Sequence, residues 1–217
     1  MTHMALPSLD LPFGDPLTPD NFGGVPWPGA TYELVDGVLV VTGVDITLED
    51  LDELPDDGHR YELLDGMLVV SPAPVLLHQR VVRKLLRVLD AAVPAEGEVF
   101  AAPTELAMAG LGRLEPDLLV VSPAPDMTAK RLTSAPLLAV EVLSPSTRRF
   151  DLGGKKSVLA RGGCAHYWVV DPDEPSIIAW DLVAGEYAEV GRASGEEPLA
   201  LTTPFPVTVV PQRLIER

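Results

Sequence analysis

The sequence of 217 residues has little cysteine and no long apolar run, and each shortage excludes a class of protein. The single cysteine, Cys164, cannot form an internal disulfide framework or a multi-cysteine zinc site. No apolar stretch reaches the roughly 18 residues that a membrane-spanning helix needs. The first residues lack a basic segment followed by an apolar one, so we expect no secretory signal. These absences predict a cytoplasmic protein with no membrane partner.

Basic residues are scarce, and their distribution along the chain is uneven. The formal net charge is −16, yet residues 1–74 contain 14 acidic residues and one basic residue, Arg60. Residues 75–165 contain 9 acidic and 12 basic residues, a net of +3, and residues 166–217 are acidic again. A polyanion responds to local charge more than to the total. The acidic total therefore does not exclude a polyanionic partner that binds the middle third.

One feature is present twice, a β-hairpin. YELVDGVLVV at 32–41 recurs as YELLDGMLVV at 61–70, and in each copy Asp-Gly separates two β-type runs, a strong short-range hairpin signal. Residues 1–30 are rich in Pro, Gly and Asp and lack periodicity, which is typical of an irregular segment. We therefore predict an acidic arm plus an extra hairpin over 1–47 and a main domain over 48–217.

The apolar pattern after the hairpins alternates between helical and strand spacing. Residues 75–93 place apolar side chains at helical spacing with basic residues opposite, which predicts an amphipathic helix that Pro94 ends. LEPDLLVVS at 114–122 and PLLAVEVLS at 136–144 are typical of buried strands. A short helix from about Asp151 and further strand patterns follow. The succession predicts an α/β or α+β fold with a mixed sheet and few helices.

Two carboxylates belong to these apolar strands. Glu141 lies in the middle of LLAVEVL, and Asp117 opens the run LLVV directly after Pro116. A buried ionised carboxylate is costly unless it is paired, protonated or bound to a metal. Two on adjacent strands would suit Mg²⁺, which takes one or two protein carboxylates and completes its shell with waters and substrate phosphates. Pairing of Glu141 with an internal lysine or arginine is an equally good interpretation of the spacing.

A lysine on the following short helix is a third candidate. Lys155 lies four residues after Asp151, so on a helix the two side chains share a face and can pair. Lys156 is its competitor, and exposure to solvent is the common situation of a lysine on a short helix.

The ordered set EPDLLVV, LLAVEVLSPSTRRFD, GKK and AHYWVVDP, with YELLDG and a helical His-Gln before it, resembles the Uma family of endonucleases. That family is a branch of the PD-(D/E)XK, restriction-endonuclease-like superfamily, and the resemblance covers about Leu48 to Leu182. It implies a restriction-endonuclease-like mixed β-sheet flanked by helices, here with a duplicated hairpin as an N-terminal extension. It further implies Mg²⁺- or Mn²⁺-dependent hydrolysis of DNA, and a homodimer that cuts two strands with two sites.

The resemblance assigns roles to individual residues. Asp117 and Glu141 match the family's metal-binding carboxylates. The superfamily's lysine, two residues past the glutamate, is Leu143 here. In the Uma branch the lysine stands on the next helix in a D-x-x-x-K pattern, which Lys155 fits and Lys156 does not. Lys155 would orient the attacking water as a cation or, if burial lowers its pKa, accept its proton.

Further candidates come from the second hairpin and the amphipathic helix. Glu62 matches the family's hairpin glutamate, an extra ligand or water-positioning group, and His78 matches its helical histidine near the substrate. Only the second hairpin is followed closely by that helix, so we assign the function to Glu62 and place Glu33 on a strand added at the sheet edge. The alternative interpretations are that Glu33 and Glu62 are both surface residues of their hairpins, and that His78 is a satisfied or half-buried histidine of the helix. Four basic residues are candidates for contact with the DNA backbone, namely Arg80, Lys84, Arg148 and Arg149.

The sequence departs from the family at two places, and other functions compete. Leu159 stands where the family usually has tyrosine, and Ala165-His166 stand where it has Pro-Glu. The acidic arm, the overall charge and the missing tyrosine slightly favour a catalytically silent member of the same fold that acts as a binding or assembly module. An acid/base hydrolase of a non-phosphate substrate is a second alternative, but the 6% of aromatic residues offer no clear substrate platform. Cys164 has no obvious histidine partner and is not predicted as a nucleophile.

Overall fold

The computed structural model describes Leu17, Thr18, Trp27 and residues 29–217, and the rest of the predicted irregular arm lies outside these described residues. The described part contains 14 strands, five α-helices and one turn of π-helix. The strands are Thr31–Val35 (β1), Val38–Thr42 (β2), Arg60–Leu64 (β3), Met67–Ser71 (β4), Glu98–Ala101 (β5), Leu106–Met108 (β6), Gly112–Leu114 (β7), Leu118–Val121 (β8), Leu138–Val142 (β9), His166–Asp171 (β10), Ser176–Val183 (β11), Glu186–Ser194 (β12), Leu199–Leu201 (β13) and Val207–Val209 (β14). The helices are Leu48–Asp52 (α1), Leu76–Ala92 (α2), Arg148–Phe150 (α3), Lys156–Arg161 (α4) and Pro211–Ile215 (α5). Asp151–Lys155, between α3 and α4, is the π-helical turn, called the π-turn below.

The two copies of the hairpin sequence lie side by side in one antiparallel sheet, in the order β1-β2-β4-β3-β7-β6. Asp36 and Gly37 in the first turn have φ of 52° and 82°, and Asp65 and Gly66 in the second have 51° and 78°. Two-residue hairpin turns require this positive φ, which explains the Asp-Gly pair in each copy. The copies join through β2 and β4. As a result β1 is an edge strand, whereas β3 has a neighbour on both sides.

The second sheet has the order β12-β11-β10-β9-β8-β5 and is mixed, because β9 and β10 run parallel while the other neighbours run antiparallel. β8 and β9 carry the apolar runs that predict buried strands, and every residue in both is buried. Helix α2 packs on one face, where Val81, Leu85 and Leu89 share a core with Val140 and Trp168. The predicted mixed sheet and few helices are confirmed.

The other face of the mixed sheet packs against the antiparallel sheet and α4. Leu64 and Val69 from the antiparallel sheet share a core with Leu119 and Ala139 from the mixed sheet and with Leu159 from α4. Leu159, at the position of the family's tyrosine, is thus a core residue. The contact brings β3 close to β8 and β9, and this is where the polar residues of the candidate site meet.

Four elements are not predicted by the sequence pattern, namely α1, β7, β13 and α5. Helix α1 forms within the segment of leucine and acidic residues that precedes the second hairpin, and Thr47 and Asp50 stabilise its start with a capping box. The strand expected from residue 114 begins only at Leu118, since Pro116 has no N–H to donate to a strand ladder. None of the helices in the described residues is long and apolar enough to cross a membrane.

Candidate functional site

The two strand carboxylates, Asp117 and Glu141, lie next to each other. Asp117 directly precedes β8 and Glu141 lies on β9, its antiparallel neighbour. The backbone N–H of Asp117 donates to Glu141 Oε2 at 3.4 Å, and the N–H of Val142 donates to Asp117 Oδ2 at 2.8 Å. Both side chains are buried, with 2% and 1% exposure. The structure therefore brings together the two predicted metal-binding residues.

Asp117 is held by two basic side chains. Arg60 Nη2, from the start of β3, donates to Asp117 Oδ1 at 3.0 Å. His78 Nε2, from the first turn of α2, lies 3.1 Å from Asp117 Oδ2. Burial raises the pKa of Asp117, but Arg60 and His78 together lower it further than burial raises it, so the carboxylate is ionised.

Lys155 is surrounded by three carboxylates. Its Nζ lies 2.8 Å from Glu62 Oε2, 3.3 Å from Glu141 Oε1 and 3.2 Å from Asp151 Oδ1. The side chain is 2% exposed. Burial lowers the pKa of Lys155, but the three carboxylates raise it well above its ordinary value, so the amine stays cationic. Lys156 instead lies 3.7 Å over the ring of Trp180, outside this cluster.

Secondary structure explains how these side chains converge. Along β3 successive side chains alternate between faces, so Arg60 and Glu62 point to the site while Tyr61 and Leu63 pack in the core on the opposite face of the sheet. Glu62 Oε1 also accepts a hydrogen bond from a backbone N–H just before β8, that of Glu115, at 2.8 Å. The π-turn supplies both Asp151 and Lys155, and single π-helical turns are frequent at functional sites.

A cavity of about 290 Å³ opens onto these residues. Its lining includes four acidic residues, Asp36, Asp117, Glu141 and Asp151, and one guanidinium, that of Arg60. Asp36 comes from the turn of the first hairpin, so the N-terminal extension contributes to the cavity wall. His78 lines it too, and among the described residues its Nδ1 has no hydrogen-bond partner.

The charges around the cavity do not balance. Four buried carboxylates meet two permanent cations, and we call this set the charge cluster. Its members are Glu62, Asp117, Glu141 and Asp151, with Arg60 and Lys155. If all six groups are ionised, their net charge is −2. Burial raises the pKa of Glu141 and that of Asp151; Lys155 lowers both, but neighbouring carboxylates raise them again. The donor set therefore suits one divalent cation.

The fit to a metal depends on two carboxylates. No group of three or more His, Cys, Asp and Glu side chains in the described part of the chain is arranged to enclose a metal ion by itself. Asp117 and Glu141 meet the requirement of Mg²⁺, which binds through one or two protein carboxylates and otherwise uses waters and substrate oxygens. Oxygen ligands, an excess of carboxylates over fixed cations and an adjoining cavity all match a hard divalent ion.

The four predicted DNA-backbone residues lie outside the charge cluster. On α2, Arg80 Nη1 donates to the carbonyl of Ile215 at 3.0 Å, and Lys84 donates to a carbonyl of the same C-terminal helix. Arg148 pairs with Asp171. Arg149, beside it on α3, is exposed. Three of the four thus contact protein groups.

Sequence reasoning missed Arg60 as a site residue. Two signals could have found it: it is the single basic residue of residues 1–74, and it stands two positions before Glu62, hence on the same face of a strand. It also missed Tyr167, which is fully buried and donates from its hydroxyl to the backbone carbonyl of Asp151 at 2.8 Å. No pattern in the sequence indicates that second contact.

The mixed sheet with its few helices is a restriction-endonuclease-like fold. The chain is a member of the Uma2 family, described as "Putative restriction endonuclease", whose sequence pattern matches residues 48–212. This confirms the family resemblance. A solved structure from Anabaena variabilis ATCC 29413, described as a "putative nuclease belonging to DUF820", has 19% sequence identity and a TM-score of 0.64. The likeness covers 78% of this chain and 97% of that one, and it shows a common fold. No curated protein matches the chain.

Proposed function

We propose that this protein is a divalent-metal-dependent endonuclease that hydrolyses phosphodiester bonds of DNA, with the cation held by Asp117 and Glu141. The observation that carries the proposal is the convergence of these two carboxylates on one cavity, with Lys155 held at 3.3 Å from Glu141. Family membership and the common fold with a protein described as a nuclease support the reaction class.

A divalent cation held by Asp117 and Glu141 would supply the electrophilic part of the chemistry. When bound, Mg²⁺ or Mn²⁺ would polarise a phosphate oxygen and acidify a water molecule. The protein provides two adjacent carboxylate ligands, an excess of carboxylates over fixed cations, and a cavity of about 290 Å³ for the phosphate group and waters.

Lys155 acts as a fixed positive charge in this proposal. Its contacts with the carboxylates of Glu62, Glu141 and Asp151 keep it protonated. These contacts support the role of a cation that orients the attacking water, and they do not support the role of a general base. Its ammonium group orients Glu141 through contact with Oε1, and it partly offsets the negative charge of the charge cluster. Glu62 in turn holds Lys155 at 2.8 Å, which makes Glu62 a positioning residue.

DNA contacts at the cavity wall and around it belong to the same proposal. His78 lines the cavity wall, and Arg149 is exposed on α3, next to lining residues of the segment 144–147. Arg80 and Arg148 would take part through the N–H groups that their protein partners leave free. Contacts of this kind neutralise phosphates, so binding should weaken steeply with salt. A twofold dimer would present one site to each strand of a duplex.

One observation favours the silent binding or assembly module. Both carboxylate oxygens of Asp117 already have partners, with Arg60 at 3.0 Å and His78 at 3.1 Å. In a silent member these contacts are permanent and no cation enters. That candidate predicts that Mg²⁺ leaves the melting temperature unchanged.

The deciding experiment is plasmid nicking with purified protein in Mg²⁺, Mn²⁺ or EDTA. We expect nicking with either metal and none in EDTA. Asp117→Ala and Glu141→Gln should each lower the rate by about 100-fold or more, because each removes a group that acts directly on the charged reaction centre. Glu33→Gln, at the exposed counterpart of Glu62, is the matched control. Metal-dependent nicking that survives both site substitutions would contradict the assignment.

A further inference from the structure

Arg60 is the single cationic side chain among the described residues that line the cavity, apart from the titratable imidazole of His78. Lys155 is excluded from the lining, since it is 2% exposed and its amine is enclosed by three carboxylates. A substrate phosphate in the cavity would therefore meet Arg60 and could not reach Lys155 without displacing a carboxylate.

The position of Arg60 follows from the strand that carries it. It is the first residue of β3, opposite Ser71 on β4, and its side chain shares the face of Glu62. Because it lies at the strand's end, its side chain keeps 19% exposure, whereas Asp117 beside it keeps 3%. The guanidinium is thus accessible from the cavity while it contacts a buried carboxylate.

Most of the guanidinium is available for a ligand. Among the described residues it makes one hydrogen bond to a side chain, from Nη2 to Asp117 Oδ1 at 3.0 Å. A guanidinium carries five N–H donors in a planar fork that matches phosphate oxygens in pairs. Burial lowers the pKa of Arg60, but Asp117, Glu62 and Glu141 raise it by more, so the group is permanently charged.

We propose that Arg60 binds the scissile phosphate of the substrate, and that in the ligand-free protein it holds Asp117 as a temporary counter-ion. The inference rests on the proposed function and adds the phosphate-binding residue to it. Arg60 and a metal cation compete for the same carboxylate. When Asp117 also binds a metal cation, its attraction for the guanidinium of Arg60 falls. The N–H donors of Arg60 are then free to bind the negatively charged phosphate.

The first hairpin offers an internal comparison. Tyr32 and Glu33 correspond to Tyr61 and Glu62, and the residue that corresponds to Arg60 is Thr31. The copy whose glutamate is buried in the charge cluster has the arginine, and the copy on the edge strand, with Glu33 exposed, lacks it. An arginine two residues before the glutamate is therefore found in the hairpin whose glutamate belongs to the charge cluster, although the turn of the first hairpin also lines the cavity through Asp36.

The first arm of the test measures metal binding without substrate. Titration calorimetry of the DNA-free protein with Mn²⁺ or Mg²⁺ should give a tighter dissociation constant for Arg60→Gln than for wild type, by about tenfold, because a competing cation at about 3 Å has been removed. Arg60→Lys keeps the charge and should bind metal as wild type does. Arg192→Gln, an exposed arginine with 66% side-chain exposure, is the control and should change nothing.

The second arm measures cleavage of a plasmid at saturating metal. Arg60→Gln should lose about 100-fold in rate, as removal of one preorganised donor to a developing oxyanion does. The cleavage rate of Arg60→Lys should lie between those of wild type and Arg60→Gln, since lysine keeps the positive charge but lacks the planar set of N–H donors. Tighter metal binding with slower cleavage is the result expected for a phosphate-binding residue, because a merely structural arginine would weaken both and lower the melting temperature.

Two results would overturn the inference while leaving the proposed function intact. One is an Arg60→Gln protein that cleaves at the wild-type rate; the other is one whose metal affinity falls together with its rate. Wild-type protein that neither binds metal nor nicks plasmid would instead overturn the proposed function, and the inference with it. Circular dichroism of both Arg60 variants separates these outcomes from a folding defect.

Discussion

At the scale of single residues, the two interpretations of Glu141 turn out to be compatible. The sequence allowed either a metal or an internal lysine as its partner. The structure pairs it with Lys155 at 3.3 Å, yet Glu62 and Asp151 share the same lysine. One lysine cannot neutralise three carboxylates, so pairing leaves negative charge for a cation. Burial raises the pKa of Glu141 most, Lys155 lowers it, and the carboxylates of Asp151, Asp117 and Glu62 raise it again, so that the pKa lies well above its ordinary value.

This raised pKa predicts how pH affects the metal-free protein. The folded-state pKa of Glu141 lies above its unfolded value of about 4.5. Stability from this group is therefore complete below that value and is lost as pH rises toward the folded-state pKa. Glu141→Gln removes the effect. We expect the variant's advantage over wild type in EDTA to grow from about pH 4.5 upward, by at most about 1.4 kcal/mol per pH unit, and then to level off.

Urea unfolding at several pH values, in EDTA and in Mg²⁺, measures this advantage. Added Mg²⁺ should raise the free energy of unfolding of wild type and leave Glu141→Gln unchanged. A variant that is less stable than wild type at every pH would show that ionised Glu141 is a net stabilising group, contrary to the charge argument. Glu33→Gln serves as the exposed control.

At the scale of elements, one hairpin sequence has two different environments. The β3 copy lies between β4 and β7, and its Glu62 is 1% exposed. The β1 copy lies at the edge of the sheet with Glu33 exposed. The turn chemistry of Asp-Gly produces the hairpin in both cases, but the neighbours of each strand decide whether its glutamate is buried with a lysine or faces water.

The duplicated hairpins therefore provide a matched pair of substitutions. Glu62→Gln should lower the free energy of unfolding by about 1–3 kcal/mol, because Lys155 loses its shortest charged contact. It should also slow nicking by at least about tenfold, since the positioning of a catalytic group depends on its supporting contacts. Glu33→Gln should stay within about 0.5 kcal/mol of wild type and nick normally. Equal effects of the two changes on stability and rate would refute the assignment of the function to the second copy.

The π-turn is a second feature that belongs to this scale. Asp151 and Lys155 were expected to pair because helical residues four apart share a face. They do pair at 3.2 Å, but on a π-helical turn that lies between α3 and α4. Sequence spacing predicted the contact, whereas the wider winding depends on packing against the rest of the site.

At the scale of the whole molecule, the N-terminal extension is continuous with the sheet of the main domain. Residues 38–41 of β2 are at most 6% exposed. Leu17 and Trp27 are buried in the same cluster as Leu39 and Val70. The family match covers 48–212, so this packing lies partly outside it. The boundary between an extension over 1–47 and a domain over 48–217 stays a prediction, and the shared core argues that the parts depend on each other.

Deletion of residues 1–47 tests this dependence. The truncated protein would expose the edge of β4 and the side chains that β2 covers, and each fully buried aliphatic side chain contributes about 1.5–3 kcal/mol. Loss of several kcal/mol corresponds to a fall in melting temperature of about 10 °C or more for a chain of this size. Scanning calorimetry and size-exclusion chromatography should show a less stable or aggregating protein. A fragment of residues 48–217 with the same melting temperature as the full chain would show that these residues form an independent domain.

The sequence by itself determined the elements whose signals are local. The Asp-Gly turns need positive φ, the spacing of α2 gives one apolar face, and two carboxylates inside apolar strands are too costly to be accidental. These signals predicted the hairpins, the helix and the mixed sheet, and the resemblance to the Uma family then predicted that Asp117 and Glu141 belong to one site. The hairpins and the helix follow from the chemistry of residues close together in the chain, whereas the family follows from the order of several motifs along it.

Tertiary structure alone decided which groups neutralise those carboxylates. Arg60 reaches Asp117 across 57 positions, and Glu62 reaches the backbone of Glu115 across 53. Such contacts depend on how two sheets and a helix pack, and no spacing along the chain encodes them. For the same reason Arg80 and Lys84, which the helical pattern presents as free basic residues, are found on the carbonyls of α5. A charge buried by folding takes the partner that packing brings near, because the low-dielectric interior makes an unpaired charge too costly.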